Sequence, residues 1–108
     1  MKRGDVIRVA GSGDFATKPR PAIVVQADEY CDVHQSITVV PFTSTLQPGF
    51  AFRIHVPASG ANGLDRDSDA EVDKLQSVKR HRIRGVIGEV DVWAMARIDD
   101  ALRQWLSV

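Results

Sequence analysis

"DVWAMARIDDALRQWL", residues Asp91 to Leu106, carries Met95, Ile98, Leu102, Trp105 and Leu106 at helical spacing. Arg97, Asp99, Asp100, Arg103 and Gln104 fall on the other face, so the segment predicts one amphipathic helix. Asp91 is its expected N-cap, because a carboxylate there accepts the unpaired N–H groups of the first turn. The rest of the chain reads as strands. Val6 to Val9 is rich in β-branched residues, and "AIVVQA" (Ala22 to Ala27) is a continuous apolar run of the kind buried on both faces. "SITVVPFTS" (Ser36 to Ser44) is a further β-branched run. "FAFRIHV" (Phe50 to Val56) sets Phe52, Ile54 and Val56 against Ala51, Arg53 and His55, as a half-exposed strand does. "AEVDKLQSV" (Ala70 to Val78) alternates weakly, and "RGVIGEVD" (Arg84 to Asp91) supplies one more short strand. Glycine and proline mark Ala10 to Pro21 and Pro57 to Asp69 as long loops. Several short strands and one closing helix predict a mainly β fold with a C-terminal helix, a small antiparallel barrel or sheet.

With 108 residues the chain holds one domain and one modest core. Its 14 lysines and arginines balance 14 aspartates and glutamates, which excludes a protein that coats nucleic acid through bulk charge. The balance is local rather than uniform. Acid gathers in "LDRDSDAEVD" (Leu64 to Asp73) and base in "KRHRIR" (Lys79 to Arg84). The single cysteine, Cys31, rules out an internal disulfide and fits a reducing compartment. "MKRGDVIRV" contains no apolar h-region and no segment has membrane-spanning length, so a soluble cytoplasmic protein is expected.

Several motifs carry chemistry only on paper. "GSGDFA" (Gly11 to Ala16) follows a strand and matches the dinucleotide fingerprint, but Pro19 and Pro21 leave no room for the helix whose N-terminus would face a pyrophosphate. Cys31, His34, His55 and His81 offer one ligand-like pair where a structural zinc site needs two. No nucleophile stands beside a base in sequence. The basic run at Lys79 to Arg84 suits either a phosphate grip or a solvated turn. "KPRPAIVVQ" (Lys18 to Gln26) is more specific. Prolines on both sides of Arg20 push Lys18 and Arg20 into extended geometry and hold a guanidinium at the mouth of a strand, where its planar fork suits a phosphate.

"KRGDVIRV", "KPRPAIVVQ", "ITVVPFTST", "FRIHV", "NGL", "VDKLQSV", "VIGEVD" and "MARIDDALRQWL", in that order and over nearly the whole chain, resemble the MazF/PemK/Kid family of bacterial toxins. The resemblance implies an SH3-like barrel with a C-terminal helix, the CcdB/MazF/Kid toxin fold, working as a homodimer. It also implies a sequence-specific, metal-independent endoribonuclease without cofactor, acting on single-stranded mRNA and restrained by a cognate antitoxin whose disordered, acidic tail crosses the basic groove. The family's catalytic arginine falls on Arg20, its strand-ending threonine on Thr43, and an aspartate of the Kid-like branch on Asp73. RNA contacts are expected from Lys18, Ser44, Gln76, Lys79, Arg80 and Arg82. Two departures bear on the proton route: Glu71 stands where the Kid-like pattern has arginine, and Asp14 where it has histidine. A CcdB-like gyrase poison, which depends on its C-terminal end, and an inactive antitoxin-binding module are the competing readings. The CcdB pattern lacks the Arg-Pro strand start.

Overall fold

In the computed structural model, residues 1–11 and 19–108 are described. The dinucleotide-like stretch after Gly11, with Asp14 in it, and the expected RNA contact Lys18 lie outside them. Among the described residues the strands are β1 (Asp5–Val9), β2 (Arg20–Val24), β3 (Ser36–Thr43), β4 (Arg53–Val56), β5 (Ser68–Glu71), β6 (Gln76–Lys79) and β7 (Ile83–Glu89). A one-turn helix, α1 (Asp28–Cys31), interrupts the expected turn after β2, and α2 (Val92–Leu106) ends the chain. The sheet is antiparallel in the order β4-β5-β3-β2-β1-β7, with β6 also paired to β3. The expected mainly β architecture with a C-terminal helix is the one observed.

Strand β3 forks, and the fork explains Pro41. One edge pairs with β2 through Val39 to Pro41. The other pairs with β6 through Ser36 to Val39 and with β5 from Phe42 onward. Pro41 sits in the gap between those two ladders, where its missing N–H leaves no acceptor unpaired. A 3₁₀ turn at Val72–Lys74 separates β5 from β6, so the weakly alternating segment expected as one strand is two. Val72 is fully buried and Leu75 packs against the same core, a three-residue spacing that suits a turn better than a strand.

Adjacent residues of the central strands feed opposite sides of the sheet, which is why "AIVV" is apolar without a break. Val6, Ile23, Val40 and Phe42 join Ala94, Ile98, Ala101 and Leu102 of α2 in one core. Ile7, Ala22, Val24, Val39, Ile37, Val78 and Cys31 form the other. Ile98 is fully buried, which stabilises the docked helix by about 1.5–3 kcal/mol. Asp91 caps α2 as expected, its Oδ1 accepting the Ala94 N–H at 2.8 Å. Trp105 remains 47% exposed but sets its ring edge-on to Phe52, with centroids 5.2 Å apart.

Two connections frame the site. Phe52, expected within a strand, takes φ 65° in a turn closed by Arg53 N–H to Phe50 O, so β4 starts only at Arg53. The loop between β4 and β5 is ordered by Asn62, which is 6% exposed. Its Oδ1 accepts from Ser59 N and Leu64 N, each at 3.0 Å, and its Nδ2 donates to Pro57 O at 2.8 Å. Gly63 has φ +72°, and a Cβ there would collide with Ile87 O, so only glycine lets this loop lie against β7. No helix among the described residues is long and apolar enough to cross a membrane.

Candidate active site

Arg20 is the first residue of β2 and is exposed. It pairs with Val9 of β1, while Pro21 pairs with Arg8. On its other edge, β2 matches Ala22 to Pro41, and continuing that antiparallel register sets Arg20 opposite Thr43 at the end of β3. The two residues that sequence singled out separately are therefore neighbours on one sheet face. Thr43 Oγ1 accepts the Thr45 N–H at 3.1 Å, which fixes its rotamer and leaves its own O–H available to donate. Among the described residues no carboxylate pairs with Arg20.

Two adjoining clefts meet at Arg20. One, of about 590 Å³, is lined by Arg8, Arg20 and Arg66 together with the hydroxyl residues Thr43, Ser44, Thr45 and Ser68, with Asp65 its one carboxylate among the described residues. The other, of about 410 Å³, runs past Arg20 to Glu71, Lys74, Gln76 and Arg82. Pro21 and Phe42 also belong to both walls. Guanidinium forks and hydroxyl donors around an open groove make a site for a polyanion with spaced phosphates.

The expected site residues are only partly assembled. Arg20, Thr43 and Ser44 share the first cleft, and Arg20, Gln76 and Arg82 share the second. Arg82 donates from Nε and Nη2 to Ala10 O, at 3.0 and 2.7 Å, and among the described residues keeps three donors over. Lys79 and Arg80 line a separate depression with His34 and His81. There Nη2 of Arg80 donates to Cys31 O and to His34 O, so that guanidinium ties the C-terminal end of α1 to β6. Asp73 lies outside the walls of both clefts and pairs with Arg53.

Arg53 itself was expected on an exposed face. Its side chain is 8% exposed, because the chain between β3 and β4 folds back across that face. Phe50 lays its ring 4.7 Å from the guanidinium carbon, and Glu71 Oε2 lies 3.4 Å from Nη2. Lys74 adds a second cation to Glu71 at 3.3 Å. Arg8 and Arg66 were not anticipated in the cleft. Arg66 sits inside the most acidic stretch of the sequence, where counting charge hides a lone arginine, and Arg8 looked like one alternate residue of β1.

A small antiparallel sheet closed by one helix, with an arginine and a threonine side by side above a cationic groove, has the donor chemistry that suits a polyanion. The chain belongs to the family of PemK-like, MazF-like toxins of type II toxin–antitoxin systems, which it matches over residues 2–106. A probable endoribonuclease MazF of Mycolicibacterium smegmatis is 34% identical over 108 residues, covering 100% of this chain and 98% of the relative. A MazF from a MazE–MazF crystal structure of Deinococcus radiodurans has the same fold, with a TM-score of 0.83 at 21% identity, covering 100% of this chain and 96% of the other. So does an endoribonuclease solved in complex with its cognate antitoxin from a mycobacterial species, with a TM-score of 0.80 at 19% identity and coverage of 100% and 96%.

Proposed function

We propose that this toxin is an endoribonuclease that cuts single-stranded RNA with the scissile phosphate seated between Arg20 and Thr43. The observation that carries the reading is that Arg20 and Thr43 line one cationic cleft, with Arg20 standing where a second one adjoins it. The substrate's own 2′-hydroxyl is the nucleophile. Its oxygen bonds to the adjacent phosphorus, the bond from phosphorus to the 5′-oxygen breaks, and a 2′,3′-cyclic phosphate and a 5′-hydroxyl result. The 2′-oxygen loses a proton and the 5′-oxygen gains one. Arg20 stabilises charge growing on the phosphoryl oxygens, a term already in place before reaction and therefore large. A guanidinium does not act as the base, because it holds its proton too firmly to give up in a protein. Thr43 donates its O–H to the same phosphate. Ser44, Gln76 and Arg82 hold the flanking nucleotides, with Lys18 expected to join them. Lys79 takes the backbone farther along. Arg80 contributes by fixing that edge, and Asp73 by holding Arg53, rather than by touching the reacting atoms.

The chain works in the cytoplasm, where its substrate is, and is restrained by an antitoxin that occupies the same cationic clefts. A second copy of the chain completes the active form, and exposed Val92 and Trp93 at the start of α2 are apolar surface suited to a partner. The test is a synthetic RNA carrying one deoxynucleotide at the mapped cut. Cleavage there must stop while cleavage at any other site continues, because only that 2′-hydroxyl is the nucleophile. Cutting at the deoxy position would refute the reaction proposed.

A further inference from the structure

Behind the reacting pair lies a buried acid that the mechanism does not use. Asp69 of β5 is the cross-strand partner of Thr43 and, on its other side, of His55 in β4. The register therefore sets Arg20, Thr43, Asp69 and His55 in one row across four strands, on the sheet face away from Phe42 and Ala70. Asp69 is 4% exposed, and both carboxylate oxygens are engaged. Oδ1 receives His55 Nδ1 at 3.1 Å, and Oδ2 accepts the Gln47 N–H at 3.2 Å. The chain from Thr43 to Gln47 is thus pinned twice, once by Thr43 Oγ1 on Thr45 N and once by Asp69 on Gln47 N. That same turn presents Thr43, Ser44 and Thr45 to the first cleft.

Resting on the reading of Arg20 and Thr43 as the cleavage site, we infer that Asp69 is the positioning residue of the hydroxyl turn, and that His55 keeps it aimed. A buried carboxylate is retained only where donors satisfy it, and here one donor is the turn and the other is the imidazole. His55 side chain is 46% exposed, so the ring closes the row from the solvent side. The neighbouring row is charged as well, with Arg53 and Glu71 paired across the same two strands, but those groups satisfy one another and leave Asp69 to His55 and Gln47. Asp69 touches no substrate. It fixes where the Thr43 hydroxyl stands when charge develops on the phosphate, and a displacement near 1 Å costs about 100-fold in rate.

The experiment measures kcat and KM for RNA cleavage in wild type, Asp69→Asn, His55→Asn, His55→Ala, Thr43→Ala and the double variant Thr43→Ala/Asp69→Asn, each checked for folding by circular dichroism. Asp69→Asn keeps one acceptor and loses one of the two bonds. It is expected to lower kcat about 10- to 100-fold, with a smaller rise in KM from Ser44 on the same turn. His55→Asn retains a donor in the place of Nδ1 and keeps most of the activity, whereas His55→Ala falls with Asp69→Asn. The double variant is expected to be no worse than Thr43→Ala alone, because Asp69 acts through that hydroxyl. Additive losses in the double variant, or a His55→Asn variant as inactive as His55→Ala, would overturn the assignment; the second result would mean that the imidazole takes part in the chemistry. Wild-type protein that cuts no RNA refutes the cleavage reading itself, and with it the role assigned here.

Discussion

Replacing Arg53 by methionine removes a cation that three groups share while keeping most of its apolar bulk. The guanidinium is 8% exposed, and it faces Asp73, Glu71 and the ring of Phe50. Glu71 keeps Lys74 as a partner, so the orphaned charge is chiefly that of Asp73, whose side chain is 22% exposed. Breaking a fully buried pair costs about 3–5 kcal/mol, and water reaching Asp73 reduces that to about 2–3 kcal/mol. Loss of the cation over Phe50 adds about 0.5–1 kcal/mol. The sum, near 3 kcal/mol, corresponds to a fall in Tm of about 10–15 °C for a domain of this size. Thermal unfolding followed by circular dichroism reads it directly. Adding Asp73→Asn to the methionine variant removes the orphaned charge and is expected to recover about 1–2 kcal/mol. A Tm within about 3 °C of wild type, or a double variant no more stable than the single one, would refute the reasoning that Arg53 is a buried structural cation.

Three further outcomes follow from particular contacts. Gly63→Ala drives a methyl group into Ile87 O at φ +72° and is expected to destabilise by more than about 1–3 kcal/mol, visible as a lower denaturant midpoint with an unchanged slope. Asn62→Ala leaves the Ser59 and Leu64 N–H groups and Pro57 O without their partner, and is expected to cost about 2–3 kcal/mol in the same assay. Burial pushes the Cys31 thiol up, with Asp28 and Asp32 adding to it. The native thiol therefore ionises at higher pH than the unfolded one, so stability falls as pH rises past the ordinary thiol range and levels off above the native value. Cys31→Ala is expected to remove that alkaline fall, and native protein is expected to react slowly with a thiol reagent that labels unfolded protein at once.

What the sequence showed and what it hid divide along physical lines. The period of α2 and its Asp91 cap are local features, and both were legible. So was Arg20, because the flanking prolines fix its backbone whatever surrounds it. Its neighbourhood to Thr43 depends on strand register, which only pairing sets; the resemblance to a family supplied that link before geometry did. His55 is exposed as its face was read, but Arg53 on the same face is not, because alternation marks two sides of a strand without saying what covers each. The returning chain from Thr43 to Phe52 covers one of them, and this buried the ion pairs of Arg53 and the carboxylate of Asp69. The basic run from Lys79 to Arg84 shows the opposite limit. Its composition suggested one surface, yet Arg80 is spent on the carbonyls of Cys31 and His34 while Arg82 turns toward the cleft at Arg20.

The central claim is that Arg20 and Thr43 form the seat of RNA cleavage. The most direct measurement is the initial rate of cutting of a single-stranded RNA in EDTA by wild type and by Arg20→Ala, with the product ends analysed. Wild type is expected to give 2′,3′-cyclic phosphate and 5′-hydroxyl ends and to leave an all-DNA copy intact, and Arg20→Ala, with its fold unchanged, is expected to lose about 100- to 1,000-fold or more. Cleavage by folded Arg20→Ala at the wild-type rate would contradict it.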